Sequence, residues 1–396
     1  MTPPAVLVTD GTERAALAVV RSLGRAGHPV HVVAHQPRSI AGASRWCRSQ
    51  QAIPSPLHEP AAFRKALREV VERERIGVVL AISEASLLAI LEEENVLPEG
   101  VLLPFPGLDQ FLRVTDKELV LREARALGIA TPGQVVLESP SPGLPEGLPP
   151  FPLVIKPARS VSGESAQRGR WGVIHVADRE ELEQSLETLP PEAYPLLLQQ
   201  RVGGEGIGVF LLLWKGQVRA VSGHRRLREK PPSGGVSVYR EAVVPPPALL
   251  ERSVALLEAF SWEGVAMVEY KMDAAGEVPY LMEINGRFWG SLQLAVDAGV
   301  DFPRILVELA LGAEPSPPPP IRAGIRSRWW MGEVDHLLAR LRRSDEELHL
   351  PPGSPGRLST IRSFLTHRLS LDRSEVLRLS DPAPGFQEMA DWLRRR

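Results

Sequence analysis

The sequence predicts a multidomain chain of mixed α/β and α+β class, with a doubly wound parallel α/β domain first, antiparallel strand pairs after it and a C-terminal extension last. Three observations carry this. The N-terminus, AVLVTDGTERAALAVVRSLGRAGHPVHVVA, reads strand, loop, amphipathic helix, turn, strand, which is a βα unit. Downstream, apolar runs joined by short turns containing Gly take over, the pattern of antiparallel strands. At 396 residues the chain is long enough for more than one domain and a sizeable core.

In the N-terminal unit the first turn, TDGTERA, lacks GxGxxG, so the case for a dinucleotide is weak. Asp10, Thr12 and Arg14 sit at the carboxyl end of the first strand, and Glu84 in LAISEAS is a second such position; ligands bind at these ends in open α/β sheets. Helix capping by Asp10, Thr12 and Ser83 is the competing reading, and the residue types favour it.

Only six of the 46 basic residues are Lys (Lys65, Lys117, Lys156, Lys215, Lys230 and Lys271), so each is a candidate for a compact point charge, although codon bias alone gives the same ratio. Lys117 opens a helix signal, TDKELVLREARALGIATP, with Thr115 or Asp116 as N-cap and Pro132 beyond its end. Lys156 ends an apolar strand in FPLVIKPARSVSGESAQRG, after the connecting run SPSPGLPEGLPPFP. Both lysines are placed to reach phosphates; the alternative for Lys117 is a surface residue on a first helical turn. The following loop, 160–172, is rich in Gly, Ser and Ala and can lay backbone N–H groups close to phosphates, or else is a mobile surface loop. The spacing GxxxxGK[ST] does not occur, which disfavours a P-loop. Next, YPLLLQQRVGGEGIGVFLLLWKGQV gives a strand, a turn rich in Gly and another strand.

The most informative stretch is VAMVEYKMDAAGEVPYLMEINGRFWGS, Val265 to Ser291. Two apolar runs flank the turn Asp273 to Gly276, so a hairpin is expected. Alternation puts Glu269 and Lys271 on one face of the first strand, and Glu283, Asn285 and Arg287 on one face of the second. Folding about the turn sets Glu269 opposite Glu283. Like charges across a sheet repel, and carboxylates among apolar residues are costly without a positive charge between them. Two carboxylates and an amide oxygen suit Mg²⁺ completed by substrate phosphates. The competing reading is an edge hairpin with a solvated acidic face and Lys271 as counter-ion to Glu269.

Lys117, then Lys156 with its small-residue loop, then QQRVGGEGIGV, then VEYKM and LMEINGRFWG resemble, in that order, the ATP-grasp superfamily and its carboxylate-amine ligase and carbamoyl-phosphate-synthase-like members. The resemblance spans roughly residues 1–312. It implies a pre-ATP-grasp domain over 1–113, a small nucleotide lobe over 114–200, a large lobe with the metal site over 201–314, and a linker with an extension over 315–396. It also implies that Lys117 and Lys156 contact ATP phosphates and that the loop with Ser162 and Gly163 is a flap over them. Gln199, Gln200, Arg201 and Val202 match the adenine hinge, departing from its usual acidic wording; backbone contacts from Arg201 and Val202 survive that change. Glu205 matches the ribose-binding acid, or is a turn residue. Glu269, Glu283 and Asn285 match the metal ligands, and Arg287 the arginine facing the transferred phosphoryl group.

Between hinge and hairpin, RAVSGHRRLREKPPSGGVSVYREAV enters as a strand on which Arg225 faces opposite to His224 and Arg226. Arg225 and Arg228 are candidates for binding the γ-phosphate or a substrate carboxylate; an exposed basic edge strand is the equal alternative. His224 reads as structural. The run PSPPPPIR after Gly312 is a stiff linker, followed by helix signals in MGEVDHLLARLRRS and GFQEMADWLRRR. Arg326, Arg328, Trp329 and Trp330 stand where they can close a cleft, or the tryptophans anchor the extension, which their size favours.

The net charge of −2 gives no global footprint for nucleic acid. Cys47 is the single cysteine, which excludes an internal disulfide and reads as inert. Neither a signal peptide nor a transmembrane run is visible, so a cytoplasmic location is expected. The resemblance implies a ligase using ATP and Mg²⁺, with Mn²⁺ as substitute, that activates a carboxylate as an acyl phosphate and joins it to an amine. Dimers are common among such enzymes, so a homodimer is a further implication. The alternatives are carboxylation or phosphorylation without amide formation, and a regulatory protein that holds ATP without turnover.

Overall fold

The computed structural model describes residues 3–140, 143–162, 169–351, 353–366 and 372–395. Short runs of Val, Leu and Ile build the first sheet from β1 (Ala5–Val8), β2 (Val30–Ala34), β3 (Cys47–Ala52) and β4 (Ile76–Leu80), all parallel in the order β3-β2-β1-β4. Alternate residues of β1 feed different cores. Val6 and Val8 pack with Leu17, Val20 and Leu23 of helix α1 (Arg14–Arg25), while Leu7 packs with Phe63 and Leu67 of α2 (Pro60–Glu74) and Leu87 of α3 (Glu84–Leu91). Helices on both faces make the sheet doubly wound, as expected.

The chain continues through α4 (Leu108–Thr115) and α5 (Lys117–Ala126). Asp116 is the N-cap of α5, its carboxylate accepting from the Leu119 N–H, so Lys117 enters the first turn facing inward. A second, antiparallel sheet in the order β5-β10-β6-β9 comprises β5 (Gln134–Leu137), β6 (Leu153–Pro157), β9 (Ile174–Val176) and β10 (Leu196–Gln200). Between β6 and β9, β7 (Val161–Ser162) and β8 (Gly169–Arg170) pair as a ribbon. Leu153, Ile155, Leu196 and Leu198 share one core with Leu182 of α6 (Arg179–Thr188).

The largest sheet has seven strands in the order β15-β14-β11-β12-β13-β16-β17. They are β11 (Gly206–Trp214), β12 (Gln217–Lys230), β13 (Val236–Val243), β14 (Gly264–Met272), β15 (Pro279–Asn285), β16 (Arg326–Arg328) and β17 (Asp372–Ser374). One face packs on α7 (Pro247–Ala259); the other meets α8 (Leu292–Asp297), α9 (Phe302–Ala310) and the first sheet's α1 side. The expected hairpin forms as β14 and β15 around the turn with Gly276 at φ +79°.

The extension differs from an appended tail. Past the proline run, β16 joins β13 and β17 joins β16 in parallel, so the large sheet is finished by residues beyond the linker. Helices α10 (Trp330–Arg342), α11 (Arg357–Leu365) and α12 (Ala383–Arg394) pack around these strands, and two of them fall on the predicted helix signals. Among the described residues no helix is long and apolar enough to cross a membrane.

Candidate functional site

Glu269 on β14 is the register partner of Glu283 on β15, and Asn285 stands opposite Met267, so both carboxylates and the amide share one face of the sheet. The Asn285 amide donates to Glu283 Oε1 at 3.1 Å, and Arg287 Nη2 donates to Asn285 Oδ1 at 3.1 Å while lying 3.3 Å from Glu84 Oε1. From α5, Lys117 Nζ lies 3.8 Å from Glu283 Oε2 and donates to Ser160 Oγ at 2.9 Å. From β6, Lys156 Nζ donates to Gln199 Oε1 at 2.8 Å. A helix and a strand thus bring two lysines toward one acid pair.

A third cation comes from β12. Arg226 Nη2 donates to Glu269 Oε2 at 2.5 Å, and Nη1 to Glu229 Oε1 at 2.8 Å. To reach β14 its side chain crosses β11, and β11 carries glycine there: a Cβ on Gly206 would sit 2.8 Å from Arg226 Cδ, and one on Gly208 2.9 Å from His224 Nε2. The Glu269 carboxyl is pushed above its ordinary range by burial and by Glu283, with Arg226 opposing. Burial pushes Glu283 the same way, but Lys117, Lys156, the Asn285 amide and Arg287 outweigh it and hold it low. Burial brings the Lys156 ammonium down to about 8, against the pull of Glu283 and Glu269.

This donor set fits a hard divalent cation. Of the two facing carboxylates, Glu269 already draws a guanidinium, the response expected of a buried acid short of positive charge. Among the described residues no three of His, Cys, Asp and Glu gather, so a cation held here takes further oxygens from waters or phosphates, as Mg²⁺ does.

The other predicted residues divide into two groups. Gln199 is buried and turned inward, accepting from Lys156 and donating to Gln134 Oε1 at 3.1 Å. The Gln200 N–H donates to the Gly133 carbonyl and the Arg201 N–H to the Pro152 carbonyl, so the hinge backbone expected to contact a base has its Arg201 donor engaged within the protein. Val202 follows in the same turn. Glu205 stands just before β11, its carboxyl raised by partial burial against the pull of Arg225.

Arg225 and Arg228 are not brought to the acid pair. Arg225 pairs in register with Ile207, whereas Gly208 pairs with both His224 and Glu269; Arg225 therefore faces the opposite side, on Glu241 at 2.9 Å. A bulge after Arg226 re-aims Arg228 to Glu333 at 2.5 Å and Ser363 Oγ at 2.8 Å. Arg226, between them, is the residue the sequence reading passed over. The Ser162 backbone pairs with Gly169, and Gly163 lies outside the described residues. His224 is buried, with Nδ1 3.1 Å from Ser291 Oγ and its ring edge-on to Phe210, which is a packing role.

At the mouth of the first sheet Asp10 accepts from the Ser83 N–H, Ser83 Oγ and Ser86 Oγ, tying β1 to α3, and Ser83 caps α3. Helix α1 starts after Glu13 without a side-chain cap. Arg14 reaches Glu375 Oε2 at 2.5 Å and lies over the Trp329 ring, while the Trp329 indole N–H donates to Glu388 at 2.6 Å. Burial raises the Cys47 thiol to about 11, in keeping with an inert cysteine.

A family model described as ATP-grasp in the biosynthetic pathway with Ter operon matches residues 192–333, the stretch from β10 through the acid pair into α10. No match is found among curated proteins. Solved structures similar in fold include an L-amino acid ligase from Bacillus licheniformis, 17% identical with a TM-score of 0.62, covering 82% of this chain and 79% of that one. A biotin carboxylase–βγ-ATP complex from Campylobacter jejuni is 15% identical with a TM-score of 0.60, covering 80% and 73%. An N5-carboxyaminoimidazole ribonucleotide synthetase from Thermus thermophilus is 18% identical with a TM-score of 0.59, covering 81% of each.

Proposed function

We propose that this chain, an ATP-grasp protein in its fold and in its matched segment, is a Mg²⁺-ATP-dependent ligase that activates a carboxylate as an acyl phosphate and couples it to an amine, releasing ADP and phosphate. One observation carries the reading: Glu269 and Glu283 face each other in register, with Lys117, Lys156 and Arg226 converging on them from three elements. Glu269, Glu283 and Asn285 would hold Mg²⁺, or Mn²⁺ in its place; a cation there, when bound, offsets the negative charge of the terminal phosphates. Lys117 and Lys156 are the phosphate contacts in this reading. Gln199 to Val202 and Glu205 line the base and ribose end.

The chain's own groups do what phosphoryl transfer requires. Arg287 and Arg226 flank the acid pair and can neutralise charge on the transferred group, which is most of the catalytic work in such chemistry. Arg287 is tied to Glu84 of the first sheet's domain, so the transferred group and the N-terminal domain's cleft meet at one residue. No nucleophilic side chain is needed, because the attacking oxygen belongs to the substrate carboxylate. Exclusion of water by the surrounding lobes protects the acyl phosphate until the amine arrives.

The test is ADP and phosphate release from Mg²⁺-ATP across a panel of carboxylates, alone and paired with amines, with hydroxylamine as a trap. ADP release that depends on one carboxylate and yields its hydroxamate is the expected result. Stimulation by bicarbonate alone would favour carboxylation, the activity in the names of some structural neighbours. Tight Mg²⁺-dependent ATP binding with no stimulation by any acid would favour a nucleotide-binding regulator.

A further inference from the structure

The sheet face that carries the acid pair continues across β12 to β13, where Arg240 is the register partner of Arg226. Arg240 is fully buried, and its guanidinium is ion-paired with Glu375, just past β17. The second partner of Glu375 is Arg14 at the start of α1, at 2.5 Å to the same oxygen, Oε2. Two arginines from two domains thus grip one carboxylate, delivered by a segment that lies beyond the linker. Arg14 also lies over the Trp329 ring, 3.9 Å from its centroid, and presses on the backbone at Gly290, where a Cβ would sit 3.1 Å from its Nη2. Gly290 closes the loop that begins at Asn285 and Arg287, so this grip borders the candidate active site.

The grip is incomplete as a closed ion pair. Glu375 Oε1 is buried with no hydrogen-bond partner among the described residues, and so are Arg240 Nε and the Oγ of Ser327, which stands opposite Arg240. Burying charged groups with donors and acceptors unfilled is costly. A ligand carboxylate with a polar neighbour would fill more of them than a tethered Glu side chain does. Both arginines are positioned without Glu375: Arg14 by Trp329, and Arg240 by a donated bond to the Ser237 carbonyl.

We infer that Arg14 and Arg240 form a carboxylate subsite at the acceptor end of the cleft, occupied in this structure by the chain's own Glu375, and that its ligand is the free carboxylate of an amino-acid acceptor. This rests on the ligase reading for the ligand's role. The assignment to the acceptor follows from position: β13 is three strands from β14, about 14 Å at ~4.8 Å per strand. A carboxylate held by Arg240 is therefore remote from one being phosphorylated beside Glu269. Glu375 then governs access, and an acceptor enters by displacing it from the two arginines.

The test begins without ATP. Glu375→Ala, in the full chain, is titrated with acetate and with acetamide in chloride-free buffer, and thermal stability is followed. Acetate should raise the melting temperature of Glu375→Ala in a saturable way, acetamide should not, and the effect should vanish in Glu375→Ala combined with Arg240→Met and in the parent. If Glu375→Ala is unfolded alone, recovery of its fold with acetate is the same positive readout. A variant that acetate and acetamide affect equally, or that no acetate concentration restores, overturns the subsite. The second arm uses turnover: Glu375→Ala should lower KM for an amino-acid acceptor roughly tenfold, as loss of a charge-assisted competitor allows, and leave KM for the corresponding amino-acid amide unchanged. Equal changes for acid and amide would overturn the acceptor assignment. Failure of the ligase reading would leave the acetate arm standing, so the two failures are distinguishable.

Discussion

The large sheet carries two clusters of buried charge, and they are built differently. Around β13, β16 and β17 each carboxylate meets at least one arginine: Glu333 meets Arg228 and Arg328, Asp372 meets Arg328, and Asp381 meets Arg21. Around β14 and β15 two carboxylates face each other instead, and a lysine nearby has its proton loosened to about 8. The first cluster matches its carboxylates with arginines from three parts of the molecule, with single atoms such as Glu375 Oε1 left unfilled among the described residues. The second leaves like charges adjacent, an arrangement that costs stability unless a ligand repays it. A sheet can thus show which of its buried acids are matched by arginines and which are set against each other.

The largest expected effects break this comparison if they fail. Glu269→Gln should cut ATP turnover by about a thousandfold, the scale of removing a ligand from a charge-stabilising centre. Its stability should hold or rise, because burial and the facing Glu283 already push this carboxyl toward its neutral form; turnover equal to the parent's would remove the metal assignment. In the other cluster the pattern should invert. Glu333→Gln takes the acidic partner from Arg228 and leaves the buried Arg328 with Asp372 alone, and should cost about 3–5 kcal/mol in urea unfolding. A Glu333→Gln chain as stable as the parent would show that the junction is no structural clamp.

How much of this was legible in the sequence depends on the range of the contacts. The acid pair was, because a hairpin's partners are set about its turn, and the turn at Asp273–Gly276 lies between Glu269 and Glu283. The cap at Asp116 and the double winding of the first sheet were too, since both are local patterns. The basic strand was only half legible. Alternation separates Arg225 from Arg226, but which face looks into the cleft is decided by pairing with β11 and β14, and the bulge after Arg226 breaks alternation before Arg228. One signal was present and unused: Gly206 and Gly208 are spaced to clear the face that Glu269 occupies. The junction was out of reach, because Arg14 and Glu375 are 361 residues apart and no local pattern pairs them.

Those glycines supply a smaller test. Gly206→Ala places a Cβ where Arg226 must pass, so the guanidinium should withdraw from Glu269. Turnover should fall about tenfold, the loss of one charge-assisted contact, with folding little changed because the flexible arginine can move. If turnover is untouched, Arg226 belongs with the structural arginines.

The finest distinction concerns protons. Lys156 is buried enough to bring its pKa from 10.5 to about 8. Below about 8 the folded and unfolded chains both carry this proton. Between about 8 and 10.5 the unfolded chain binds it and the folded chain does not, so this residue's contribution to stability rises with pH across that window. Phosphate binding should move the opposite way, because the ammonium is what a phosphate meets; ATP affinity should weaken as pH climbs through about 8. Lys156→Met should flatten both trends together. Parallel titrations of unfolding and of ATP binding, from about pH 7 to 10, therefore ask whether a group that is a liability to the fold is an asset to the ligand. Stability and affinity that fall together would place Lys156 among the structural charges.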